Sequence, residues 1–260
     1  MTPDDRNALL AAAEAALDAA AAAIRPHFRA GVTADDKSDA SPVTVADRGA
    51  EQAMRAVLAE RCPSFGIIGE EFAPEQAEQR FCWVLDPIDG TRAFITGRPI
   101  FGSLIALLDG DTPVMGLIDQ PITGERWIGV AGEPTQFRGA YGRAGCRPCP
   151  VLGDAELACT SPEIFDVAGW TRFQKVQRAV KRTSWGGDCY AYGLIALGGV
   201  DAIVEAGLKL WDWAALVPVI EGAGGLVRDW TGAPLRRGGS GDVIAVGDPA
   251  LMPHIVELLR

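Results

Sequence analysis

Histidine is nearly absent from this chain, with 2 in 260 residues, and its 24 Lys and Arg are outnumbered by 34 Asp and Glu, for a formal net charge of −10. That balance argues against nucleic acid or an anionic membrane surface as a partner, because both attract a positive field. It leaves room for a small phosphate ester, since a bound metal ion reverses the field locally. No basic segment followed by a long apolar run is found near the N-terminus. The Ala-rich stretch from Ala11 to Ala23 carries Glu14 and Asp18, which predicts a soluble helix, not a signal or membrane span, and a cytoplasmic location. Cysteine is sparse and scattered, six in all, unlike a small secreted disulfide scaffold. The single CxxC, Cys146-Arg147-Pro148-Cys149, has no second pair or nearby His to complete a zinc site. It also lacks the strand-to-helix context of a redox motif, so reduced, ordinary thiols are expected. His27 and His254 fall in or beside predicted helices and read as surface or packing residues. No internal repeat, heptad array or low-complexity segment stands out beyond the Ala-rich helix.

What is present is a large apolar fraction, 48%, enough to bury a sizeable core in one large domain or two fused lobes. Residues 5–29 read as an amphipathic helix with Leu9, Leu10, Ala13, Leu17 and Ile24 near one face. Residues 34–42 are polar and turn-rich and predict a mobile hairpin or loop, from which Lys37 would reach a phosphate. Residues 44–61 predict a second helix, and 65–69 a short strand tipped with Glu70 and Glu71. Extended stretches at 102–108, 114–119 and 125–130, with Asp109-Gly110 as a hairpin turn between the first two, predict antiparallel sheet. A Gly/Pro/Cys-rich stretch at 139–153 marks a lobe boundary, dividing 1–145 from 146–260. Beyond it strands are expected at 157–160, 176–178, 202–205 and 243–246, and helices at 189–197, 211–221 and 250–259, which is α/β behaviour.

The stretch that organises the chain is Phe81-Cys82-Trp83-Val84-Leu85-Asp86-Pro87-Ile88-Asp89-Gly90-Thr91. An apolar run of strand length ends in two carboxylates, a Gly and a hydroxyl. Pro87 removes a donor and is expected to end ladder pairing, and Gly90 permits a tight turn. Two acids so close repel unless a cation lies between them, and hard oxygen ligands suit Mg²⁺. Gly90 and Thr91 amides at a helix start would welcome a phosphate. Taken alone, the same residues also describe an Asp-Pro turn with an N-cap. Asp47, in the first turn of its helix, and Asp212, opening another, have equally plain readings as helix-terminus residues. Counted together, Glu70, Asp86, Asp89 and Asp212 each sit where a strand ends or a helix begins. Such ends converge on one edge of a layered α/β structure. Four convergent carboxylates without basic partners would be destabilising unless metal held them, and metal-assisted phosphoryl chemistry is the natural use.

Asp86-Pro87-Ile88-Asp89-Gly90-Thr91 resembles the first signature of the inositol monophosphatase superfamily of Mg²⁺-dependent, lithium-sensitive phosphatases. Trp211-Asp212 through Glu221-Gly222-Ala223-Gly224-Gly225 resembles the second. Gly69-Glu70-Glu71 and Ser41-Pro42-Val43-Thr44-Val45-Ala46-Asp47 match in order and spacing. The resemblance implies an αβαβα sandwich, a homodimer, and two or three Mg²⁺ ions for which Mn²⁺ would substitute. It implies Glu70, Asp86, the Ile88 carbonyl and Asp89 as holders of the first metals, with Asp212 completing a second site. Thr91, hydrogen-bonded to Asp47, would orient a metal-bound water beside Glu70, and Gly90 and Thr91 amides would hold phosphate oxygens. The stretches 187–194, 204–209 and 90–97 most resemble histidinol-phosphate phosphatases within that superfamily. At Asp188 and Glu205 the resemblance implies a leaving-group pocket. There Asp188 would meet an ammonium and Glu205 an imidazole or hydroxyl, although a helix cap and strand-end solvation explain these acids as well. Direct in-line attack by water is expected, since no His or Cys is placed as a covalent nucleophile. Competing readings are a broad inositol- or sugar-monophosphate phosphatase, a nucleotide 3′-phosphatase of the same superfamily, and an inactive metal- and phosphate-binding regulator. A dinucleotide-binding reading of residues 222–225 is weak, because that Gly cluster follows a helix and not a strand.

Overall fold

The computed structural model describes residues 3–31, 35–36 and 42–260. Residue 34 and residues 37–41 of the expected loop, Lys37 among them, lie outside the described residues. In chain order the elements are α1 (Pro3–Ile24), β1 (Asp35–Asp36), β2 (Pro42–Val43), α2 (Val45–Arg61), β3 (Gly66–Gly69), β4 (Phe81–Asp89) and α3 (Thr91–Ile95). Next come β5 (Gly102–Asp109), β6 (Thr112–Gln120), β7 (Glu125–Val130), β8 (Gln136–Arg138), β9 (Glu156–Cys159), α4 (Val167–Ala179) and β10 (Arg182–Trp185). The chain closes with α5 (Asp188–Ile195), β11 (Ala202–Glu205), α6 (Leu210–Trp213), α7 (Leu216–Gly222), β12 (Leu226–Arg228), β13 (Val243–Val246) and α8 (Met252–Leu259).

Two sheets carry the architecture. One has the order β3-β4-β5-β6-β7-β8, the other β10-β9-β11-β13-β12, and β1 pairs with β2 as a short antiparallel ladder. In the first sheet β3 runs parallel to β4 and the remaining pairs are antiparallel. Because successive strand residues face opposite sides, Trp83 and Leu85 of β4 join a core with α1 and α2, whereas Val84 joins one with α5, α6 and α7. The second sheet splits likewise: Ala158 and Ile203 face that middle helical layer, and Leu157, Cys159, Ala202 and Val204 pack on α4 and α8. The layers therefore run helix, sheet, helix, sheet, helix: the αβαβα sandwich that the motifs implied.

Local sequence explains the elements. Ala is the best helix former, and in α1 its small side chains at Ala13, Ala16 and Ala20 are fully buried in the core shared with Ala46 and Ala50 of α2. The segment Asp5–His27 is a helix long and apolar enough to cross a membrane, yet its buried face forms the outer core of this sandwich. Thr44 caps α2 in a reciprocal capping box with Asp47, satisfying donors that a helix start leaves orphaned.

Three expectations are corrected. Residues 176–178 are the end of helix α4, not a strand. Trp170, Phe173 and Val176 recur at helical spacing behind an Asp166 N-cap, a period that a three-residue window cannot display. The helix expected over 211–221 is broken into α6 and α7 at Ala214-Ala215, because Pro218 has no N–H to donate back to the Ala214 carbonyl. Nor does Pro87 end the ladder of β4. The strand bulges between Asp86 and Asp89 and pairs again at Asp89 with Gly102, while the Pro87 carbonyl accepts from Ser103 Oγ at 2.6 Å. A bulge leaves a residue unpaired, which is where a missing donor costs least.

Candidate active site

The bulge of β4 is where the acids meet. Asp86 continues the Val84 side of the strand into the interior, where it is 2% exposed, and its Oδ1 is buried with no hydrogen-bond partner. Asp89, past the bulge, has Oδ2 accepting from the Cys189 N–H at 2.5 Å. Asp212 arrives on α6, its Oδ2 accepting from the Lys209 N–H at 2.7 Å. One carboxylate oxygen from each of Asp86, Asp89 and Asp212 lies within 4.8 Å of the others. Glu70 follows β3 and is tied to β4 by its N–H on the Leu85 carbonyl at 3.2 Å. Its charge acts on both Asp86 and Asp212.

The electrostatics are those of like charges held close together in a buried place. Burial, then the repulsion of Glu70, Asp89 and Asp212, raises Asp86 well above the usual carboxylate range. Burial, then Asp188 and Asp212, does the same to Asp89. Asp212 is pushed up to about 7, by burial first, with Glu70 and Glu205 adding to it and the Lys209 N–H opposing. An unpartnered buried carboxylate oxygen is costly, and a divalent cation among these oxygens would remove both the orphan and the repulsion. The donors present thus fit a hard cation: Asp86, Asp89 and Asp212 directly, with Glu70 alongside.

Beside the acids stands a hydroxyl. Thr91 begins α3, and its Oγ1 lies 3.3 Å from Asp47 Oδ1 and 3.1 Å from the Ile88 carbonyl oxygen. Asp47 is fully buried; its Oδ2 accepts from the Thr44 N–H at 2.8 Å and from Thr44 Oγ1 at 2.5 Å. Asp47 is therefore a helix cap and a Thr91 partner at once, one oxygen for each. Gly90 caps α3 with φ at 90°, a conformation open to glycine, and a Cβ there would stand 2.8 Å from Asp188 Oδ2.

Asp188 and Glu205 border a cavity of about 210 Å³, whose lining also includes Asp89, Asp212, Tyr192 and Ile164 and, among the described residues, contains no Lys or Arg. Asp188 starts α5 with a left-handed backbone, φ 42°, which few residue types other than Gly, Asn and Asp adopt. It is pushed up to about 6, by burial first and by Glu205, against the opposing charges of Arg98 and Arg92. Glu205 does not have the solvated strand end that its plain reading supposed. It is buried, its Oε1 accepting from the Thr160 N–H at 2.6 Å and its Oε2 from the Tyr192 hydroxyl at 2.8 Å. Burial raises it too.

Residues 47, 70, 86, 88–91, 188, 205 and 212, named from sequence, thus gather in one place from seven separate elements and their ends. Sequence reading missed the Cys189 amide that holds Asp89 and the Tyr192 hydroxyl that holds Glu205. A helical spacing of four from Asp188 to Tyr192 was the available signal for the second; a backbone amide leaves no signal. His27, His254, Cys146 and Cys149 are absent from the cavity lining. All six cysteines are unpaired, and burial pushes the Cys146 thiol up to about 11, away from the thiolate that redox chemistry needs.

Comparison with known proteins agrees with this geometry. The model of the inositol monophosphatase family matches residues 5–260. A bifunctional phosphatase, IMPL2, of Arabidopsis thaliana chloroplasts is 45% identical over 259 residues, 96% of this chain and 74% of that protein. A histidinol-phosphatase of Mycobacterium tuberculosis is 37% identical over 215 residues, 79% of this chain and 81% of that one. The solved structure of an inositol monophosphatase from Zymomonas mobilis superposes with a TM-score of 0.89 at 49% identity, covering 100% of this chain and 99% of that chain. With its layers, its acid cluster and its whole length matched in this way, the chain belongs to the inositol monophosphatase family of metal-dependent phosphatases.

Proposed function

We propose that this phosphatase hydrolyses L-histidinol phosphate to L-histidinol and inorganic phosphate, using Mg²⁺. The observation that carries the reading is the cavity beside the acid cluster. Among the described residues it offers Asp188 and Glu205 and no basic side chain, a poor lining for an anionic leaving group and a good one for an amino alcohol with an ammonium. The similarity to the M. tuberculosis histidinol-phosphatase supports the same reading. Asp188 is the better ammonium partner, because both oxygens of Glu205 already accept from Thr160 and Tyr192. Glu205 keeps the remaining lone pairs for an imidazole N–H or a hydroxyl.

Asp86, Asp89, Asp212, Glu70 and the Ile88 carbonyl would hold Mg²⁺, which supplies charge neutralisation of the phosphoryl group and a more acidic water. The chain's own groups do the rest. Thr91 Oγ1 donates its hydrogen bond to Asp47 Oδ1 or the Ile88 carbonyl and so presents a lone pair to the attacking water. Glu70 receives the proton that water loses as its oxygen bonds to phosphorus and the ester P–O bond breaks. The leaving alkoxide then takes up a proton from a second water, and Glu70 returns the one it received to solvent. Gly90 and Thr91 N–H groups, at the start of α3, hold phosphate oxygens.

A second reading, inositol 1-phosphate as substrate, is favoured by the 49% identity to the Z. mobilis inositol monophosphatase. Phosphate release from the two substrates, with and without Mg²⁺, separates them. An ammonium on Asp188 is a charge-assisted hydrogen bond worth about 1.5–3 kcal/mol, so kcat/KM should favour histidinol phosphate by about 10- to 150-fold. Equal or better turnover of inositol 1-phosphate would overturn the histidinol assignment.

A further inference from the structure

Helix α2 carries a second buried acid one turn beyond Asp47. Glu51 is fully buried on the same helical face as Asp47 and Arg55, at successive spacings of four, and it faces the turn that follows β3. Its Oε2 accepts from the Glu71 N–H at 2.7 Å, and its Oε1 from the Phe72 N–H at 3.3 Å and from Arg55 Nε at 2.8 Å. Arg55 extends the clamp, donating from Nη2 to the Phe72 carbonyl at 3.2 Å and from Nη1 to Glu75 Oε1 at 2.9 Å. Two backbone bonds between Ile67 and Glu75, each 2.8 Å, close the same turn on β3. The preceding residue, Gly69, has to be glycine for the carboxylate to lie there at all: a Cβ at Gly69 would overlap Glu51.

We propose that Glu51 is a positioning residue for Glu70. This rests on the reading of Glu70 as a metal-site and proton-accepting carboxylate. Glu70 lies between Gly69, against which Glu51 packs, and Glu71, whose amide Glu51 holds. Its main chain is fixed before any cation arrives, although like charges surround it. Helix α2 thereby sets two parts of the site from one face: Asp47 takes Thr91, and Glu51 takes the Glu70 turn. A carboxylate suits this position because its two oxygens face three donors and no acceptor. A glutamine would turn an NH₂ group toward one of them.

The test is Glu51→Gln, with folding checked by circular dichroism, Mg²⁺ affinity measured by calorimetry, and KM and kcat measured at saturating Mg²⁺. Partners of metal ligands typically matter 10- to 100-fold. Mg²⁺ affinity and kcat should each fall by about tenfold or more, with KM within about threefold of wild type. Mg²⁺ affinity and kcat both within about twofold of wild type would overturn the proposal. Should Glu51→Gln not fold, hydrogen exchange on the wild-type protein decides. A Glu71 amide protected equally with and without Mg²⁺ supports a preset turn; protection that appears with Mg²⁺ alone overturns it. A wild-type protein that neither binds Mg²⁺ nor cleaves phosphate esters would instead sink the reading of the site itself.

Discussion

The acid cluster should make the metal-free protein lose stability as pH rises, and Mg²⁺ should restore it. Asp188 is raised from 3.8 to about 6 and Asp212 from 3.8 to about 7. An acid that holds its proton more tightly folded than unfolded stabilises the fold fully below its unfolded value. That contribution is lost as pH climbs through the folded value. The window therefore runs from about pH 4, near the unfolded value, to about pH 7, the higher of the two folded values, and the sign is opposite to that of a salt-bridged carboxylate. At about 1.4 kcal/mol per pH unit, the rise at Asp188 is worth roughly 3 kcal/mol and that at Asp212 somewhat more. Above pH 5 only about one unit of the Asp188 rise and about two of the Asp212 rise remain to be lost, and the two groups share repulsion, so the joint effect between pH 5 and pH 8 is of order a few kcal/mol. For a chain of this size each kcal/mol moves Tm by about 2–4 °C, so chelated protein should melt roughly 5–10 °C lower at pH 8 than at pH 5. Mg²⁺ at about a hundred times its Kd adds about 2.7 kcal/mol, a gain of similar size at pH 8. At pH 5, below the value of about 7 to which Asp212 is raised, that gain should be much smaller. Differential scanning fluorimetry in EDTA and in Mg²⁺ across this range is the assay, and calorimetry near pH 6.5 should register protons released on Mg²⁺ binding. A metal-free Tm that is flat or rises from pH 5 to 8, or a Mg²⁺ gain that is the same at both ends, would refute the electrostatic account.

Two substitutions extend this reasoning. Asp86→Asn should stabilise the metal-free protein at pH 8 by about 1–3 kcal/mol, because it replaces a buried carboxylate oxygen that has no partner with a neutral amide. It should also abolish Mg²⁺-dependent phosphate release; a metal-free Tm lower than wild type would contradict it. Asp188→Asn keeps the shape of the side chain beside Gly90 and removes its charge. It should lower kcat/KM for histidinol phosphate by about 10- to 100-fold while changing that for an uncharged phosphate ester by less than about threefold, and equal losses on both would argue against an ammonium partner there.

Much of the site was legible because its residues occupy chain positions with a local signature. An apolar run that stops at Asp86, and a Gly90-Thr91 helix start, can be read from neighbours a few residues apart. So can the Asp212 that opens α6. Strands β3 to β7 of the first sheet were equally open, since each is a short apolar run bounded by turns, whereas β8, Gln136–Arg138, has one apolar residue and was not expected. Other features depend on partners that sequence does not bring near. The bulge at Pro87 is set by pairing to β5. The break between α6 and α7 comes from one missing donor inside a continuous apolar pattern. Glu51 looks like an ordinary helix-surface acid until the turn after β3 is laid across it.

What the sequence by itself determined is which acids exist and that each stands at the end of an element, because element ends are written in local periodicity, proline, glycine and capping residues. Only the tertiary structure decided that these ends share one edge, that Asp86 Oδ1 is left without a hydrogen-bond partner, and that Asp188 and Glu205 border the same cavity. Those facts come from stacking two sheets between three helical layers. The stacking buries apolar faces with little regard to sequence separation, and in doing so forces like charges from distant segments into a volume that a cation can stabilise.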